Sequence, residues 1–140
     1  MDSATRVNRK SIREMFSDVV TAASEIRVYG LNAAGKAAWD DASNEFISEV
    51  AAGNRTHGPT AVTVTFNPAN GQLTATNLTD AFTDPDNGNG ATEALLFVAW
   101  NGSEATSPVI AISGNPTNAG MAQDGVDDSL TFSNPLCTIG

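Results

Sequence analysis

The 140-residue chain holds one cysteine, one histidine and two lysines (Cys137, His57, Lys10 and Lys36), and each scarcity excludes something. A single thiol forms no internal disulfide and supplies neither a thiol-rich zinc centre nor an iron–sulfur cluster. Long apolar runs are missing as well. The longest, Ala94 to Trp100, has seven residues, against the roughly 20 that cross a bilayer. No apolar secretory leader is visible at the N-terminus, so a soluble protein without a membrane partner is expected. Val, Ile, Leu and Phe amount to 29 residues, enough for a single modest core. No Walker, G-x-S-x-G or H-E-x-x-H pattern occurs. The lone histidine lies in the turn-forming stretch Arg55-Thr56-His57-Gly58-Pro59 and reads as a surface residue, so no catalytic residue is assigned and a non-enzymatic protein is expected.

Basic charge is scarce but concentrated. Residues 1–13 carry Arg6, Arg9, Lys10 and Arg13 against one acid, a net of +3, whereas residues 14–140 carry three basic and fifteen acidic groups, a net of −12. An acidic body repels phosphate, which excludes nucleic acid as a partner of the main domain. The basic arm, taken as residues 1–10 with its charge extending to Arg13, reads as a tether to an acidic protein surface or to packaged nucleic acid, or as a solvated terminus. Scarce lysine with excess acid also suits a high-salt environment.

What is abundant is a small, weakly charged alphabet: Ala, Gly, Ser, Thr and Asn supply 72 residues, a composition suited to β-surfaces and tolerant loops. Ser11-Ile12-Arg13-Glu14 fits a capping box, and Ile12, Met15, Phe16, Val19 and Val20 follow at helical spacing, predicting a helix over about 11–24. Glu25 to Leu31 alternates as a strand that Gly30 interrupts. A second helix is expected over 33–52, capped by Asn32, with Ala38, Trp39, Ala42, Phe46, Ile47 and Val50 on its apolar face and Asp40, Asp41, Glu45 and Glu49 on a solvated one. After Pro59 the period becomes two. Residues 61–66 and 72–76 read as a hairpin, Ala94–Trp100 as a strand buried on both faces, and 108–113 as its partner. Residues 129–132 and 136–139 are late strands. The predicted fold is α+β: one domain over 11–140, with two amphipathic helices in 11–53, then an antiparallel sandwich or strongly curved sheet over 59–140.

One loop has the oxygen-rich chemistry of a calcium site. Asp84-Pro85-Asp86-Asn87-Gly88-Asn89-Gly90 departs from the EF-hand register, since positions five, six and twelve are Gly88, Asn89 and Leu95. An irregular Ca²⁺ site would use Asp84, Asp86 and Glu93; the competing reading is a flexible acidic loop.

The basic arm, the capped helices, the hairpin Val62-Thr63-Val64-Thr65-Phe66 with Gln72-Leu73-Thr74-Ala75-Thr76, and the strand Asp128-Ser129-Leu130-Thr131-Phe132 together resemble small β-rich virion proteins of tailed viruses. The resemblance covers the β half in style and transfers no site residue. It implies a head-decoration or cement protein, or a tail component, located in the virion. Such a protein assembles as a symmetric homo-oligomer and binds other virion proteins through termini and strand edges. The alternative from the residues themselves is a carbohydrate-binding sandwich, calcium-dependent if the acidic loop holds the ion, with Trp39, Trp100 or Tyr29 as stacking platforms. A hydrolase using paired carboxylates such as Asp40 and Glu45 ranks third.

Overall fold

The computed structural model describes residues 8–113 and 120–139. Helix α1 (Arg9–Ala22) starts two residues before the expected boundary, because Asn8 is the cap: its side-chain oxygen accepts the Ser11 N–H at 3.1 Å, which places Ser11 inside the helix. The expected stripe splits in two. Phe16 meets Phe66 edge to face at 4.8 Å and Val20 packs on the core, while Ile12, Met15 and Val19 face outward. No residue of α1 is fully buried.

Strand β1 (Glu25–Leu31) runs through Gly30 and pairs along its whole length with β6 (Ala94–Trp100), Glu25 opposite Trp100 and Leu31 opposite Ala94. The second helix is much shorter than expected. Asn32 caps α2 (Ala33–Ala38) as predicted, accepting the Gly35 N–H at 2.8 Å, but the helix ends at Trp39. Asp40 and Asn44 end it by bonding locally. Asp40 Oδ1 takes the Ala42 N–H and Oδ2 the Ser43 hydroxyl, while Asn44 Oδ1 takes the Asp40 N–H. Such side-chain bonds compete with a helical ladder. Two 3-10 turns follow, Ile47–Glu49 and Ala52–Asn54, and they still deliver Ile47 and Val50 to the core while the four carboxylates of the segment stay exposed.

The expected 61–66 strand changes sheet at Thr63. β2 (Thr60–Val62) pairs with β1, whereas β3 (Val64–Asn67) forms the predicted hairpin with β4 (Gln72–Ala75). β5 (Leu78–Phe82), which the sequence pattern does not announce, pairs across a bulge with β8 (Asp128–Leu130). β7 (Val109–Ser113) pairs with β6, and β9 (Cys137–Thr138) with β4. The result is a mixed helix and antiparallel-sheet fold with strand orders β2-β1-β6-β7, β3-β4-β9 and β5-β8.

Two apolar clusters sandwich the β1–β6 pair. Ile26, Val28, Leu95, Phe97 and Ala99 face a cluster completed by Phe82, Leu130 and Phe132; Tyr29, Leu31, Leu96 and Val98 face one completed by Ile47 and Val50. β6 is buried on both faces, as its unbroken apolar run implies.

Candidate functional site

Gly30 places the site. A Cβ there would lie 2.5 Å from the Thr56 hydroxyl and 2.7 Å from the Thr92 hydroxyl, so only glycine leaves room for the polar cluster beside β1. Its N–H donates to the His57 carbonyl at 2.8 Å and its carbonyl accepts the Thr56 N–H at 2.9 Å, which pins the 56–57 segment against the strand.

His57 is therefore not a surface residue: it is 1 % exposed. Its ring stacks on Phe82 at 5.0 Å, Nδ1 is 2.8 Å from Thr92 Oγ1, and Nε2 is 2.7 Å from Asp128 Oδ2 and 3.8 Å from Asp84 Oδ2. Thr56 Oγ1 in turn contacts Thr92 Oγ1. A neutral imidazole protonated on Nε2 satisfies this chain: Thr56 donates to Thr92, Thr92 to Nδ1, and Nε2–H to Asp128.

Asp84 is buried and bonded from three sides. Oδ2 accepts the Asp124 and Gly125 N–H groups at 2.7 and 3.0 Å, and Oδ1 accepts that of Asp86 at 2.8 Å. Burial pushes its pKa up, but these backbone donors and His57 outweigh burial and hold the carboxyl below its ordinary range. The acidic loop is well tied: Asn87 and Asn89 donate to the Arg55 carbonyl, and Gln123 bridges Asn87 to the Thr56 carbonyl.

Of the expected calcium ligands, only Asp84 enters the metal-capable grouping seen among the described residues, which is His57, Asp84 and Asp128. Asp86 is exposed and turned into a left-handed conformation, φ 46°, and Glu93 is half-buried with its N–H on the Leu31 carbonyl. Of the expected arm, Arg6 lies outside the described residues. Arg9 and Lys10 belong to the first turn of α1, with Lys10 4.0 Å from Glu14. Arg13 is held by the chain itself, its guanidinium donating to the carbonyls of Ile139 and Ala69. Among the aromatics weighed as sugar platforms, Tyr29 is buried and Trp100 is covered by the Arg27 guanidinium at 3.7 Å. Trp39 is half-buried and donates to Asp41. Cys137 is half-buried, and burial pushes its thiol pKa up, away from reactivity.

Sequence reasoning missed the convergence of His57, Thr56, Thr92, Asp84 and Asp128 because four segments far apart in the chain supply them. Gly30 inside an alternating strand was the one local signal of a close approach. The order Thr–His–Asp has the sequence of contacts of a nucleophile, base and orienting acid, but Thr92 is 1 % exposed and no substrate carbonyl can reach it. Compared with family models, curated proteins and solved structures, the chain matches none.

Proposed function

We propose that this chain is a non-enzymatic structural subunit of a virion, a capsid decoration or cement protein or a tail subunit, that works as a symmetric homo-oligomer among other virion proteins. The observation that carries the assembly part of the reading is apolar surface left outside. Ile12, Met15 and Val19 of α1 are 41 %, 63 % and 41 % exposed. They recur at a spacing of three and four, the seam that helices bury against one another. β7 adds an open sheet edge. It ends the order β2-β1-β6-β7, its five residues are half-buried, and beyond Val109 no other described strand lies on its outer side. Such edges invite strand addition. The virion setting rests on the resemblance of the β half and the charge division. Within that reading, the sheets built around the two core clusters act as a sandwich, and Arg9 and Lys10 contact acidic neighbours.

Light scattering of the full-length chain across a concentration series tests the assembly. A closed oligomer or tube growing with concentration is expected; a 14.5 kDa monomer at every concentration and salt overturns the homo-oligomer.

A further inference from the structure

We propose that His57, Asp84 and Asp128 form a binding site for one divalent transition-metal ion of the zinc class. Their three donor atoms lie within 4.8 Å of one another. Ligands about 2.0–2.2 Å from a tetrahedral ion stand about 3.3–3.6 Å from one another. Nε2 is 2.7 Å from Asp128 Oδ2 and 3.8 Å from Asp84 Oδ2, so the set admits an ion when the ring and Asp128 part by less than an ångström and Asp84 draws in.

The imidazole is aimed. Phe82 stacking and the Nδ1 contact to Thr92 fix the ring so that Nε2 points between the two carboxylates. A hydroxyl on the far nitrogen is the outer partner that orients a metal-bound histidine. Charge also asks for a cation. Asp84, fully buried, and Asp128, partly exposed, bring two negative charges to one spot, and the only ion-pair partner of either among the described residues is His57. A divalent ion balances two carboxylates with the ring neutral, whereas a proton on His57 balances only one. Nitrogen in the donor set selects the zinc class over calcium or magnesium, which prefer oxygen alone. Asp128, with its side chain 29 % exposed, opens the site to solvent. Binding moves the ring proton from Nε2 to Nδ1, which then donates to Thr92.

The test is calorimetric titration of the chelator-treated, tag-free full-length chain with zinc chloride, with nitrogen-15 NMR of the imidazole read in parallel. His57 is the only histidine, so the ring signals need no assignment. One zinc per chain is expected, with Nε2 shifting strongly and Nδ1 carrying the proton. Asp128→Asn keeps an acceptor for the ring N–H but removes a ligand charge, and lowers affinity by about tenfold or more. Asp86→Asn leaves affinity unchanged. A folded chain that takes no zinc overturns the proposal. So does zinc that leaves the imidazole signals in place or binds Asp128→Asn equally well, since it then sits on scattered surface carboxylates. Tighter calcium than zinc binding, or a doubly protonated ring indifferent to zinc, rejects it too. None of these outcomes bears on whether the chain assembles.

Discussion

The cluster around His57 and the outer face of α1 are inversions of one another. One is polar and inside, with His57, Thr56 and Thr92 each 1 % exposed; the other is apolar and outside, with Met15 63 % exposed. The inner groups find their partners within the chain, across 36 residues from Thr56 to Thr92 and 71 from His57 to Asp128. The outer ones do not. Burial of a polar group is costly unless its bonds are made, so a satisfied cluster of this kind ties together the strands that supply it. Exposed apolar surface carries the opposite message: whatever stabilises it comes from another molecule.

The comparison is broken most severely from the inside. His57→Ala removes both ring bonds and the ring's packing on Phe82: a hydrogen bond to a charged group contributes about 1.5–3 kcal/mol, and emptying a fully buried side-chain site costs about 2–5 kcal/mol. Urea unfolding followed by tryptophan fluorescence measures the loss; a cost below about 1 kcal/mol, the scale of a single net hydrogen bond, would show that the cluster ties nothing. Gly30→Ala comes next. Its methyl would meet the two threonine hydroxyls at 2.5 and 2.7 Å, and overpacking of this kind costs about 1–3 kcal/mol. Combining it with Thr56→Ala removes the hydroxyl that the methyl meets first, so the pair costs less than the sum of the two single changes, an outcome only a local clash produces.

How much of this was legible in the sequence follows from the range of the interactions. Local signals survived: the first amphipathic helix, the Asn32 cap, the 64–75 hairpin and the doubly buried β6 all depend on neighbours a few residues apart. The helix over 33–52 failed because the same apolar positions that fit a period of 3.6 also fit a chain folded by Asp40, Asn44 and Glu49 side-chain bonds. β5 was missed because Asp80, at φ 49°, interrupts its alternation. The site was the least legible. His57 stands in a stretch of turn residues, and nothing in Arg55-Thr56-His57-Gly58-Pro59 says that Asp84, Thr92 and Asp128 close over it. Only Gly30, whose missing Cβ is filled by two hydroxyls, carried a trace.

Acid sharpens the comparison by acting on the inner region and not on the apolar outer face. Because Asp84 has its carboxyl pKa lowered in the folded chain, its contribution to stability is complete above the unfolded value of about 3.9 and is lost as pH falls through the lower folded value. The thermal midpoint of the wild-type chain is therefore expected to fall below about pH 4 more steeply than that of Asp84→Asn, which starts lower and has no such proton to take up. Parallel curves would assign the acid sensitivity to the exposed carboxylates Asp40 and Glu49, whose backbone bonds also lower their pKa values.

The smallest effect on folding belongs to the outer face, and there it is the most informative. Met15→Lys replaces a side chain that is mostly in water already, so stability changes by no more than about 0.5 kcal/mol, the usual range for a surface site. Association is another matter. If Ile12, Met15 and Val19 are the seam covered by a second copy, a lysine at its centre buries an unpaired charge at every contact, and the concentration dependence of the solution mass disappears while the unfolding midpoint stays where it was. The control is Ser113→Lys on β7, which places the same charge on the open sheet edge at a residue outside both core clusters. Loss of association in the first variant alone assigns the contact to the helix, and in the second alone to strand addition. If neither lysine changes the mass curve, neither surface is the one that copies bury. The two-region comparison then holds for the monomer but does not explain assembly.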